Sequence, residues 1–164
     1  TCIAPTKSFN LAGLQTAAVV VPNENLRHKV WRGLNTDETA EPNVFAMTAA
    51  ITAWTQGDVW LDELRDYLFE NRRLAGEYLK AELPEIRLVS AKATYLLWID
   101  SRSITENAEE LAEYIRQKTG LYLCAGSEYG KAGEGFLRMN IACSKEIMME
   151  GLYRLKDGIT QYTE

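Results

Sequence analysis

The sequence predicts an α/β fold whose second half is a small α+β layer, and three features carry that expectation. A continuous apolar, β-branched run, Ala17-Ala18-Val19-Val20-Val21, is cut off by Pro22-Asn23, as suits a strand buried on both faces of a sheet. A long helical pattern covers 59–83, with Leu61, Leu64, Leu68, Ala75 and Leu79 at near-helical spacing and Pro84 as its stop. Beyond it, strand-like and helix-like stretches follow in the order ββαββα.

Taken in order, residues 1–15 are punctuated by Pro, Gly and Asn and predict a loop, and 16–21 the buried strand. Asn23 caps a helix over 24–33 that closes near Gly33. After the polar connection 35–43, an Ala-rich helix over 43–56 ends at Gly57, and Asp58 is placed to cap the long helix. Strands are expected at 86–90 and 94–100, then a helix at 107–119 with Ala108, Leu111 and Ile115 on one face and Gly120 at its end. A strand at 121–124, a turn holding Gly126, Gly130, Gly133 and Gly135, and a strand at 136–142 follow. Ser144 caps a last helix striped with Met148, Leu152, Leu155 and Ile159. The chain divides into 1–57, the end of a larger α/β unit, and 58–164, the long helix with the small layer.

Composition narrows the function classes. With 164 residues, 46% hydrophobic and 25% charged, the chain is globular in type and long enough to bury a core. No run approaches the ~18 apolar residues of a membrane span. A net charge of −5 with scattered Lys and Arg leaves no footprint for nucleic acid. Cys2, Cys124 and Cys143 are widely spaced and odd in number, which speaks against a disulfide framework and for a reducing, cytoplasmic setting. Any His-based metal site or Ser-His-Asp triad would need His28, the single histidine, and no ligand spacing accompanies it. His28 is expected to be an exposed helix residue. The aromatics Trp54, Trp60, Tyr67, Phe69, Tyr78, Tyr95 and Trp98 fall on helix or strand faces and are expected in cores or interfaces, not as a base-stacking platform.

Two residues draw chemical interest. In the strand 136–142, Leu137, Met139 and Ile141 share one face, and Phe136, Arg138, Asn140 and Ala142 the other. An arginine in mid-strand needs an anion or solvent: either an ion pair with a nearby carboxylate or bidentate capture of a carboxylate ligand. Lys7, flanked by the hydroxyls of Thr6 and Ser8 ahead of a buried strand, is either a solvated surface residue or a confined amine able to serve as nucleophile or base. Thr6 or Ser8 could donate to a phosphate. The four-glycine loop lacks phosphate-loop spacing and is expected to be a mobile turn.

The segment Ala4-Pro5-Thr6-Lys7-Ser8-Phe9-Asn10-Leu11-Ala12-Gly13-Leu14-Gln15 resembles the cofactor-lysine segment of fold-type-I pyridoxal-phosphate enzymes of the class I/II aminotransferase superfamily. It looks most like the branch of cystathionine β-lyases and other C–S lyases. Three more stretches fit in family order: Val59-Trp60-Leu61-Asp62-Glu63-Leu64-Arg65-Asp66-Tyr67-Leu68 with Glu70-Asn71, Ala93-Thr94-Tyr95-Leu96-Leu97-Trp98-Ile99-Asp100, and Gly133-Glu134-Gly135-Phe136-Leu137-Arg138-Met139-Asn140 with Cys143. The resemblance implies the C-terminal part of a PLP-dependent transferase fold, with a long interdomain helix. It implies that Lys7 bonds the aldehyde of pyridoxal 5'-phosphate and moves the substrate α-proton, that Thr6 neighbours the cofactor phosphate, and that Arg138 holds the substrate α-carboxylate.

Several positions depart from the family pattern. Gln15 and Ala4 stand where many aminotransferases carry arginine and serine, which favours the lyase branch, and Ala125-Gly126 and Ser144 replace the usual Pro-Gly and proline. The family's phosphate loop, ring-stacking aromatic and pyridinium-pairing aspartate lie ahead of the lysine. This chain is therefore expected to lack the N-terminal large domain and to be inactive alone, as part of a homodimeric enzyme that eliminates thiol, ammonia and pyruvate from a cystathionine-like amino acid. A class I/II aminotransferase is the alternative within the family. A non-catalytic ferredoxin-like or ACT-like ligand-binding module is the alternative outside it, on layer order alone.

Overall fold

The computed structural model describes all residues, Thr1–Glu164. It divides into two compact units, Thr1–Arg65 and Asp66–Glu164.

In the first unit, β1 (Cys2–Ile3) pairs antiparallel with β2 (Ala18–Val19), Cys2 opposite Val19 and Ile3 opposite Ala18. The expected strand over 16–21 shrinks to these two residues, and it is not buried on both faces: Val19 is 42% and Val20 52% exposed. Its only ladder partner is the short β1, which sequence patterning had placed in a loop, so neither face is covered by a sheet. Helix α1 (Glu24–Thr36) starts at Asn23, whose side chain accepts from the Leu26 N–H at 2.9 Å. It runs through Gly33 and ends only where Glu38 turns left-handed at φ 54° and the Thr39 N–H reaches the Leu34 carbonyl at 2.9 Å. His28 is exposed on it. Helix α2 (Ala46–Gln56) begins after a turn in which Asn43 accepts the Phe45 N–H at 2.9 Å, and α3 (Asp58–Glu82) follows directly at Gly57.

The second unit is an antiparallel sheet in the order β3 (Arg87–Leu88), β4 (Leu96–Asp100), β6 (Phe136–Asn140) and β5 (Cys124–Ala125). Helices α4 (Ala108–Thr119) and α5 (Lys145–Thr163) share a core with the sheet and the end of α3. The strands are shorter than the pattern implied. Thr94 at φ 71° delays β4, and the Asn140 side chain, accepting from the Ala142 N–H at 2.8 Å, closes β6. Ser144 caps α5 and Gly120 ends α4 at φ 73° as expected; Asn107, expected inside α4, instead caps it by accepting the Glu110 N–H, and Asp58, expected as a cap, is the first residue of α3.

Alternation along β4 and β6 builds the core. Leu97, Ile99, Leu137 and Met139 turn inward with Leu111, Ile115, Leu152 and Leu155, all 5% exposed or less. Buried Asn71 on α3 donates to the carbonyls of Ile141 (3.1 Å) and Cys143 (3.2 Å), satisfying the chain just past β6. The glycine-rich segment forms two 3₁₀ turns, Gly126–Tyr129 and Lys131–Gly133, whose glycines let the backbone fold onto itself: a Cβ on Gly126 would strike the Gly133 carbonyl, and one on Gly133 the Gly126 backbone. No helix is long and apolar enough to cross a membrane.

Asp100 closes β4 by accepting from Arg102 Nε at 2.9 Å and Nη2 at 2.8 Å, and from Arg87 at 3.3 Å. The Arg102 guanidinium holds the Asp100 carboxyl down to about 2, against an opposing push from burial. A folded-state value below the unfolded ~3.9 means that the stabilisation is full above that value and is lost as pH falls through the folded one. Asp100→Asn should therefore cost on the order of 1 kcal/mol at neutral pH and almost nothing near pH ~1, below the folded value. Urea unfolding at the two pH values tests this; a gap that persists in acid would mean that lost packing, not lost charge, separates the proteins.

Candidate functional site

Lys7 sits on a single helical turn. The Phe9 N–H reaches the Pro5 carbonyl at 3.0 Å, the Leu11 N–H reaches the Thr6 carbonyl at 3.0 Å, and Asn10 turns left-handed at φ 54°. This is the geometry that ends helices, here standing alone, and Asn tolerates it through its short polar side chain. Pro5 is buried and Thr6 half-buried, while Lys7 and Ser8 are exposed. Of the two settings open for Lys7, the exposed one is found within the unit, and the strand that follows its loop is itself exposed. The Lys7 amine makes no ion pair or hydrogen bond and is left free for chemistry.

What holds the turn is Phe9, which patterning did not single out. Its ring stacks on Trp60 with centroids 5.8 Å apart and planes 25° apart. It lies against Gly57, where any Cβ would collide with the ring and with the Ala53 carbonyl. Gly57 thus sets the close approach of the Lys7 turn to the α2–α3 junction. Beside it, Phe9, Leu11, Phe45, Ala49, Ala53 and Trp60 line an open apolar groove of about 490 Å³.

Arg138 lies in the second unit, at the middle of β6. It projects with Phe136 and Asn140, away from buried Leu137, Met139 and Ile141, as strand alternation requires. It stands opposite Trp98 on β4 and Cys124 on β5. Its Nη2 donates to the Cys124 sulfur at 3.1 Å, and its guanidinium carbon is 4.6 Å from the Tyr129 ring centroid. Tyr129 meets Trp98 edge-on at 5.9 Å, and Trp98 stacks on Phe136 at 5.6 Å. Within its own unit no carboxylate lies within 4.0 Å of the guanidinium, so the partner of the ion-pair alternative is not found there. Burial lowers the affinity of Arg138 for its proton, but the neighbouring Cys124, Tyr129 and Glu128 outweigh it and the net shift is upward. Thr6 and Lys7 therefore share one turn of the first unit, and Arg138 stands in the second. Cys124 and Trp98 were not legible as its neighbours, since strand register is not written in local pattern.

The family model for aminotransferase class I and II matches residues 4–155, a span that holds Thr6, Lys7 and Arg138. The chain belongs to that family. Cystathionine beta-lyase PatB of Bacillus subtilis is 37% identical over 98% of this chain and 41% of its own length. Protein MalY of Escherichia coli is 32% identical over 94% of this chain and 40% of its own. The crystal structure of cystalysin from Treponema denticola, which contains a pyridoxal 5'-phosphate cofactor, superposes with a TM-score of 0.91 at 25% identity, over 98% of this chain and 41% of that one. The chain thus spans about two-fifths of the length of the relatives that it matches. These likenesses leave no support for the ferredoxin-like or ACT-like alternative, whose layer order alone suggested it.

As a class I and II aminotransferase-family turn, the Lys7 segment has a specific mechanical dependence. Phe9→Ala removes its anchor while sparing its own hydrogen bonds. Loss of a half-buried aromatic contact of about 1–2 kcal/mol should raise the rate of limited tryptic cleavage after Lys7 by roughly tenfold, since cleavage needs local opening. Mass spectrometry of timed digests measures this, and an unchanged rate would assign the turn's order to its backbone hydrogen bonds alone.

Proposed function

We propose that this chain is the C-terminal part of a pyridoxal-phosphate-dependent enzyme acting on amino acids, with α,β-elimination of a cystathionine-like substrate to thiol, ammonia and pyruvate as its reaction. Residues 1–57 close the cofactor-binding domain, and 58–164 supply the long helix and the small domain. The observation that carries the reading is Arg138: a half-buried guanidinium held by a thiol and an aromatic face, with no carboxylate of its own. A cation kept unneutralised on a strand is suited to a carboxylate ligand, which its planar fork binds bidentately.

The residues present fit the cofactor. Lys7 offers a free primary amine on an anchored turn, and Thr6 places a hydroxyl beside it. When bound, pyridoxal phosphate supplies a ring that stores the electron pair left at the substrate Cα. Lys7 Nζ would hold the cofactor through its aldehyde carbon and, once displaced by the substrate, accept the α-proton. Thr6 would donate to the phosphate. Arg138 would fix the α-carboxylate and so orient the Cα bond to be broken. The relatives' names and the departures at Gln15 and Ala4 support the lyase; aminotransfer uses the same residues and is the second reading. Product analysis separates them, pyruvate with ammonia marking elimination. Exposed Val44, Phe45, Met47, Ile51 and Val59 on the first unit support burial against further protein, consistent with a homodimer.

In the protein made from its complete coding sequence, Lys7→Ala should abolish borohydride fixation of pyridoxal phosphate at this position and cost on the order of 10²–10⁴ in turnover. Arg138→Lys keeps the charge but loses the fork. It should cost about 2–4 kcal/mol in kcat/KM for amino acids and far less for amines lacking the carboxylate. Unchanged kinetics in the Arg138→Lys protein would make that arginine structural.

A further inference from the structure

We propose that Cys124 and Tyr129 are positioning residues that aim Arg138 at the substrate carboxylate without neutralising it. This rests on the reading of Arg138 as the carboxylate group's receptor. A strand arginine is most simply held by an aspartate or glutamate, but such a partner fills the guanidinium fork and cancels its charge. Here the two groups in contact with it are a thiol and an aromatic ring, and Glu128, the acidic side chain that acts on it, makes no ion pair with it. The Cys124 sulfur accepts one N–H at 3.1 Å, and the Tyr129 ring takes one face of the guanidinium at 4.6 Å, leaving the other N–H groups to a ligand.

Both neighbours are themselves fixed. Cys124 is held opposite Arg138 by the β5–β6 ladder. Tyr129 rides on a 3₁₀ turn closed by the Gly126–Gly133 approach and is braced edge-on by Trp98, which the β4–β6 ladder sets opposite Arg138 from the other side. Two strands and a turn thus converge on one side chain. The free arginine would otherwise sample many rotamers, and ordering it in advance favours binding.

The test uses the complete protein with its cofactor and reads two things. Propionate and its neutral amide, propionamide, are titrated by NMR, and kcat and KM are measured separately. Cys124→Ala should raise the propionate Kd about 3- to 10-fold, leave propionamide unchanged, and raise KM with kcat within about twofold. Cys124→Ser, which keeps an acceptor, should restore propionate binding to within about twofold of the parent. Cys124→Asp should weaken propionate more than about tenfold, because an internal carboxylate then competes for the fork. Tyr129→Leu should follow Cys124→Ala.

Equal loosening of acid and amide by Cys124→Ala, or wild-type propionate binding by Cys124→Asp, overturns the positioning role. Arg138→Gln is the separate control: if it leaves propionate binding intact, the carboxylate reading of Arg138 itself falls, whatever Cys124 does.

Discussion

The antiparallel ladder between β4 and β6 is the constraint from which most of the second unit follows. Its register sets Leu97 against Met139, Trp98 against Arg138 and Ile99 against Leu137. Because side chains alternate with a period of two, a one-residue slip would carry Arg138 into the core and Leu137 and Met139 out of it. Burying an unpaired guanidinium costs far more than any single contact restores, so the register is strongly specified. The buried amide of Asn71 adds to this by taking up the carbonyls just past β6, where the ladder has ended.

The outward face of the same ladder is a line of stacked groups. Arg102 lies 4.8 Å from the Phe136 ring centroid, Phe136 stacks on Trp98, Trp98 braces Tyr129, and Tyr129 underlies Arg138. One end of this line is neutralised, since Arg102 pairs with Asp100. The other end is not. Two arginines on one sheet face therefore have different chemical standing: Arg102 shapes the strand end, while Arg138 keeps a usable charge. The difference lies in their partners, a carboxylate in one case and a thiol with an aromatic ring in the other.

The first unit works by a different economy. It has no buried sheet, and its order comes from helix ends and close approaches: Glu38 and Asn10 in left-handed conformations, and Phe9 packed where Gly57 has no side chain. Lys7 is presented by this scaffold rather than enclosed by it. The same unit exposes large apolar side chains, among them Phe45 at 70% just before α2 and Val59 at 71% at the start of α3. Such a surface is unlike the usual exterior of a monomer and suits coverage by other protein.

Much of this was written in local sequence. Asn23 and Ser144 are helix caps and Gly120 a helix end because capping involves groups only a few residues apart. The face on which Arg138 projects follows from alternation alone, and Lys7 and Arg138 stood out as residue types in unusual settings. Local pattern misled where neighbours were assumed: the apolar run 17–21 has the composition of a buried strand, yet burial is conferred by what packs against it. The tertiary structure alone decided that Cys124, Trp98 and Tyr129 surround Arg138, that Asn71 reaches across 70 residues to Ile141, and that Phe9 settles on Gly57. These contacts join residues distant in the chain, and their geometry is set by strand register and by the fit of side chains in space, neither of which has a period that a sequence can display.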